Sequence, residues 1–187
     1  MLKKRDLQDT HALYELISHP EVLPFVREKP SSYEEYLFMT KRTIEDEEHG
    51  KTISRTIIDD WGNPIGTINL YDIENNMGFL GTWIGKPYHG KGYNQRAKDH
   101  FFQELFFELN IETIFMRIRV ENIRSRKAAE KLPYIAHANK TRPYIYKSIN
   151  QNPLNIQYDL YEISKDAFTL HYKKSLIHID MINELEA

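Results

Sequence analysis

Cysteine is absent from this 187-residue chain, which excludes disulfides, thiolate metal sites and any covalent intermediate carried on a cysteine sulfur. Long apolar runs are missing as well, and no stretch approaches the roughly 18 apolar residues that a membrane-spanning helix needs. There is no excess of positive charge: 25 Lys and Arg against 27 Asp and Glu give a formal net charge of −2, whereas a general nucleic-acid binder is clearly basic. The basic start, Met1-Leu2-Lys3-Lys4-Arg5, runs into Asp6, Gln8 and Asp9 instead of an apolar secretory segment. The eight histidines show no close ligand spacing, so no metal site is expected. Internal repeats and low-complexity linkers are also missing. These absences imply a soluble, cytoplasmic protein with no membrane or nucleic-acid partner. At this length the simplest organisation is one domain over 1–187, large enough to bury about 70% of its unfolded surface.

Glycine is scarce but concentrated, with all eight lying between Gly50 and Gly92. Before that region two helices are expected. Asp9 is a candidate N-cap for a short one that places Ala12, Leu13, Leu16 and Ile17 on one face and stops at Pro20. Ser31 or Ser32 with Glu34 or Glu35 forms a capping box for a second, running towards His49 with Gly50 as its stop. Strand signals follow over 52–58, 64–71 and 78–84, separated by turns at Asp59-Asp60-Trp61-Gly62-Asn63 and Asn75-Asn76, which describes a three-strand antiparallel meander.

Beyond the glycines, Ala97, Phe101, Leu105 and Leu109 recur every fourth residue, with Phe102 and Phe106 widening the apolar face of a long helix. Ile114, Met116, Ile118 and Val120 alternate with Phe115, Arg117 and Arg119 as in a strand covered on one face. A short helix is expected over 123–132, then strands over 144–147 and 156–163, set off by Pro143 and Pro153. The stretch 169–179 reads equally as strand or helix, and 166–187 is treated as a C-terminal extension. Its Leu176, Ile177, Ile179, Met181 and Ile182 suit packing on the core or on a second copy in a homodimer.

The meander leads directly into Gly85-Lys86-Pro87-Tyr88-His89-Gly90-Lys91-Gly92-Tyr93-Asn94-Gln95. Glycines at 90 and 92 allow the backbone to curl and approach a ligand without Cβ interference, presenting successive amides to an anion. A helix starting at Tyr93 adds its free N-terminal amides and its dipole, worth about 0.3–1 kcal/mol. The spacing Gly85-x-x-x-x-Gly90-Lys91 matches the first half of a P-loop. Gly92, however, stands where Ser or Thr must ligate Mg²⁺, and an antiparallel meander is not the opening of a parallel nucleotide-binding sheet. Nucleotide hydrolysis is therefore excluded.

Pro87-Tyr88-His89-Gly90-Lys91-Gly92 resembles the Gln/Arg-x-x-Gly-x-Gly/Ala cofactor motif of the GCN5-related N-acetyltransferase (GNAT) superfamily, departing at its first position. With Tyr93 it is similar to the Gly-Lys-Gly-Tyr form of the branch that acetylates ribosomal-protein N-termini. A second block, Asn122-x-x-Ser125 followed by Glu130-Lys131-Leu132-Pro133-Tyr134, resembles that branch's Asn-x-x-Ser-x-x-x-x-Glu-Lys-x-Gly-Phe, with Pro133 and Tyr134 replacing the last two residues.

The resemblance spans about residues 5–165. It implies an α+β fold with a mixed, mostly antiparallel central sheet and helices on both faces. It further implies an acetyl-CoA site whose pyrophosphate is held by amides from about His89 to Asn94, with Lys91 at the rim and the His89 ring in solvent. Backbone groups of Trp83 and Ile84 would pair with the pantetheine arm. Asn122 and Ser125 would contact the cofactor, and Ser125 or Tyr134 would protonate the departing thiolate. Each has a plainer alternative: Ser125 as a helix-start residue bonding backbone, Tyr134 and Trp83 as packing residues.

The expected reaction is direct acetyl transfer to a primary amine in a ternary complex, releasing coenzyme A. The competing reading is a non-catalytic acyl-CoA-binding module. The family often carries a glutamate on the strand before the cradle, where this chain has Phe79-Leu80-Gly81-Thr82; Asp72 and Glu74 are the nearest candidate bases. An α-amine of pKa near 8 is about 10% neutral at pH 7, against about 0.04% for a lysine at 10.4, a gap of about 3 kcal/mol. A site without a strong base thus suits a peptide N-terminus or a small amine.

Overall fold

The computed structural model describes residues 1–185, excluding the side chains of Arg124 and of residues 178–185. The chain forms two compact units, Met1–Ile111 and Glu112–Ala187.

The first unit is built on four antiparallel strands: β1 (Leu2–Lys4), β2 (Ile53–Ile58), β3 (Pro64–Glu74) and β4 (Met77–Ile84), each paired with the next. The meander therefore gains β1, whose three residues are too few to show an alternation. Helix α1 (Thr10–Ile17) begins after Asp9, but Asp9 makes no capping bond; it is buried and paired with Lys3 at 2.8 Å. Helix α2 (Tyr33–Glu48) starts as expected, with Ser32 Oγ accepting from Glu35 N at 3.1 Å and Glu35 Oε2 accepting from Ser31 N at 2.6 Å. Leu13, Ile17, Val22, Val26 and Tyr36 form a core cluster on which Trp83 of β4 packs.

After the glycine turn, α3 (Tyr93–Gln103) carries the long apolar face into a π-helical turn, Glu104–Glu108, closed by Leu109 N donating to Glu104 O at 3.0 Å. Phe101, Phe102, Leu105 and Phe106 are fully buried, each worth about 1.5–3 kcal/mol of transfer free energy. The extra residue per turn rotates the end of the face, leaving Leu109 42% exposed. Glu104 pairs there with the buried Arg55, whose Nη1 also meets Glu47 Oε1 at 2.6 Å. That network ties α2 and the π turn to β2.

The second unit holds β5 (Thr113–Arg119), α4 (Ile123–Ala129), β6 (Ala136–His137), α5 (Pro143–Asn150), β7 (Tyr158–Ser164) and α6 (Lys165–Leu185). β7 pairs antiparallel with both β5 and β6. The expected strand over 144–147 is instead the first half of α5. Pro143 sits in that helix's first turn, where its missing N–H costs nothing, so the proline opens the run instead of breaking a strand. The ambiguous stretch 169–179 is helical, inside α6. Leu176 and Ile177 are exposed, and the side chains of Ile179, Met181 and Ile182 lie outside the described residues. The result is the mixed, mostly antiparallel α+β architecture read from the sequence. Among the described residues no helix is long and apolar enough to cross a membrane.

Candidate active site

β4 ends at Ile84, and the chain enters a 3₁₀ turn, Lys86–Tyr88, before the two left-handed glycines, Gly90 at φ +75° and Gly92 at φ +79°. Gly92 is the N-cap of α3 and offers no side chain to satisfy the helix's first amides. Among the described residues the N–H groups of Gly90, Lys91, Gly92, Tyr93, Asn94 and Gln95 donate no hydrogen bond; the helix ladder begins with Arg96 N to Gly92 O at 3.1 Å. A Cβ built on Gly90 or Gly92 would meet nothing within 4 Å, so the concave face is open. Six consecutive uncommitted donors on an open turn fit a diphosphate.

The cradle's rim is braced from several sides. Lys91 Nζ lies 5.5 Å above the Tyr88 ring, and the Arg96 guanidinium 4.6 Å above that of Tyr93. Lys86 is paired with Glu21, whose pKa that hydrogen bond lowers. Asp60, in the β2–β3 turn, accepts from Tyr93 Oη at 3.4 Å and faces Arg96 at 3.5 Å.

Two details differ from the sequence reading. The His89 amide is committed to Lys86 O at 3.2 Å, so the free series starts one residue later, at Gly90. The His89 ring is half-buried and not free: its Nε2 donates to Ile84 O at 2.8 Å, clamping the turn to the end of β4. The backbone of Trp83 is also spoken for. Gly85 N donates to the opposing Ile65 O, and the alternation of an antiparallel pair then turns the N–H and C=O of Trp83 towards Thr67, with those of Ile84 facing away from β3. Of the pair, only Ile84 has backbone groups directed off the β3 side, and its carbonyl holds His89.

In the second unit, Asn122 is the N-cap of α4, its Oδ1 accepting from Ser125 N at 3.1 Å. The half-buried Ser125 hydroxyl makes no hydrogen bond among the described residues. Tyr134 is buried, edge-on to Phe168 at 5.1 Å and tilted against His171 at 5.3 Å, a packed setting. Glu130 of the same block accepts from Tyr161 Oη at 3.0 Å.

The candidate bases are occupied or exposed. Both carboxylate oxygens of Asp72 accept from one nitrogen, Arg27 Nη2, at 3.0 and 2.8 Å, and Glu74 is an exposed residue of the hairpin. That salt bridge holds the Arg27 guanidinium 4.5 Å above the Tyr71 ring. The ring itself fills the space a Cβ on Gly81 would need, 2.6 Å away. Burial pushes the Tyr71 hydroxyl up to about 12.

Arg27 and Tyr71, with Arg5, Tyr36, Thr67 and Trp83, line a cavity of about 50 Å³ in the first unit. No motif announces it, because its walls come from the N-terminus, α1, the connection before α2, α2, β3 and β4.

Comparison with known proteins places the chain. The sequence profile of the family described as "Acetyltransferase (GNAT) domain" matches residues 1–134. An uncharacterized N-acetyltransferase p20 from Bacillus licheniformis is 25% identical over 140 residues, covering 71% of this chain and 77% of that protein. Among solved structures, the spermidine N-acetyltransferase of Vibrio cholerae in complex with CoA and spermine shares the fold with a TM-score of 0.71 at 14% identity, over 90% of this chain and 97% of that one. A Vibrio cholerae protein provisionally named as a ribosomal-protein-serine acetyltransferase has a TM-score of 0.67 at 16% identity, over 87% and 92%. The family profile covers well over half of the sequence, including the glycine cradle and the Asn122–Ser125 block, and the chain belongs to the GNAT acetyltransferase family.

Proposed function

We propose that this enzyme transfers an acetyl group from acetyl-CoA directly to a primary amine, a peptide N-terminus or a small molecule, in a ternary complex. The observation that carries the reading is the run of free amides from Gly90 to Gln95 on two left-handed glycines. These would hold the pyrophosphate, with Lys91 adding positive charge at the rim. When bound, acetyl-CoA supplies an activated acetyl thioester. The Ile84 N–H, directed off the β3 side at the mouth of the cradle, is the backbone donor available to the pantetheine arm. The lack of cysteine supports direct attack by the amine nitrogen on the carbonyl carbon, with the C–S bond breaking and the thiolate leaving as coenzyme A after gaining a proton.

For that proton we assign Ser125 ahead of Tyr134. The Ser125 hydroxyl is half-buried and uncommitted, whereas Tyr134 is packed between aromatic rings. Asn122 positions Ser125 by capping its helix. The CoA-bound spermidine acetyltransferase neighbour supports CoA as cosubstrate and an amine as acceptor. The same reading places the enzyme in the cytoplasm, with which a cysteine-free composition is compatible. Calorimetry with coenzyme A and a thiol-release assay over an amine panel test it; absence of coenzyme A binding at tens of micromolar refutes it.

A further inference from the structure

The cavity in the first unit has an uneven charge balance. Arg27 is neutralised by Asp72, and Glu28, which also lines the space, pairs with Arg42 at 2.5 Å. Asp9, close enough to act on Tyr36, pairs with Lys3. Arg5 is different: among the described residues its guanidinium meets hydroxyls and no carboxylate, donating to Thr40 at 3.1 Å and Thr56 at 3.3 Å beside the Tyr36 hydroxyl. One positive charge is therefore left over.

Beside it the Tyr36 hydroxyl is buried against the Arg5 guanidinium and, among the described residues, donates to no acceptor, in a residue only 5% exposed. A buried hydroxyl whose proton finds no acceptor is costly, and a ligand accepting from it would recover that cost. The floor is polar too, since buried Ser54, Asn69 and Thr67 form a hydrogen-bonded chain that reaches the cavity. A space of about 50 Å³ admits a carboxylate-sized group, not a whole substrate. Its Trp83 wall stands on β4, two residues before Gly85 and the cradle.

We propose that this cavity is an anion subsite of the acceptor site, in which Arg5 and Tyr36 bind a carboxylate carried by the amine substrate. The proposal rests on the acetyl-transfer reading above and names its acceptor class: amines that bear a carboxylate, whether a free amino acid or a peptide with an acidic N-terminal residue. A polyamine is disfavoured, because a second ammonium entering the cavity meets the unneutralised Arg5.

The test uses matched acceptors in the thiol-release assay: glutamate against glutamine as free amino acids, and tripeptide amides opening with Asp or Glu against those opening with Asn or Gln, with spermidine alongside. The acidic member of at least one set should show kcat/KM higher by about tenfold or more, the worth of one charge-assisted hydrogen bond. The set that shows it identifies the source. Arg5→Gln should collapse the acid-to-amide ratio towards one. Tyr36→Phe, which removes the hydroxyl and keeps the ring, should reduce the same ratio without loss of coenzyme A binding. Coenzyme A binding with no acid preference in any set, with spermidine the better acceptor, or with no turnover of any member overturns the subsite and leaves the cofactor reading standing. Loss of coenzyme A binding overturns the cofactor reading itself.

Discussion

Replacing Gly90 or Gly92 by alanine separates the cradle's conformational cost from its binding role. Both glycines lie in the left-handed region, at φ +75° and +79°, where an L side chain costs about 1–2 kcal/mol. The added Cβ would meet nothing within 4 Å, so no steric cost is added in the ligand-free protein. Gly50 at φ +69° and Gly62 at φ +85° also have open space around a built Cβ, and they lie outside the cradle. All four alanine variants should therefore lose similar stability, about 1–2 kcal/mol by denaturant unfolding. Coenzyme A affinity should divide them. At Gly90 or Gly92 the methyl intrudes on the open face, or the backbone relaxes and turns an amide away. Losing one charge-assisted hydrogen bond of about 1.5–3 kcal/mol weakens binding by about 10- to 150-fold. Calorimetry should show that loss for Gly90→Ala and Gly92→Ala and unchanged affinity for Gly50→Ala and Gly62→Ala. Cradle variants that bind as tightly as the two controls would refute the assignment of these amides to the pyrophosphate.

Three further outcomes follow from other parts of the molecule. Ser125→Ala should lower kcat by about 10²-fold or more while changing coenzyme A affinity little; equal losses in both would reduce Ser125 to a positioning role. Lys98 of α3 is buried, and burial depresses its pKa against the opposing pull of Asp99. The unfolded chain then holds more protons below the free-lysine value of about 10.4, so stability rises with pH towards that value. Lys98→Met should flatten that rise and add about 0.5–2 kcal/mol at neutral pH, seen as a higher Tm. For Tyr71, pushed up to about 12 by burial, the unfolded chain loses its proton first. Stability is therefore intact below about pH 10 and falls by up to about 2–3 kcal/mol as the pH climbs through the folded value, a decline that Tyr71→Phe should remove in denaturant titrations.

Local chemistry explains what the sequence by itself determined. The capping box at Ser32 and Glu35, the glycine turn into α3, the period of Ala97, Phe101 and Leu105, and the alternation along β5 each arise from residues adjacent along the chain. They fixed the order of elements from α1 to α4, the glycine turn and the family. Short-range signals failed where they conflicted or were too brief. Pro143 could end a strand or open a helix, and only the Arg142 O to Tyr146 N bond shows that it opens α5. β1 and β6 have three and two residues, too few for any pattern. Tertiary structure alone decided the rest, because those features depend on groups distant in sequence meeting in space. Arg5 reaches Thr40 and Thr56, Arg27 reaches Asp72 and Tyr71, and Arg55 joins Glu47 to Glu104. The proposed acceptor cavity is made of such long-range contacts, whereas the proposed cofactor cradle is one continuous peptide. The proposed cofactor site could therefore be read from a motif, and the proposed acceptor site only from the fold.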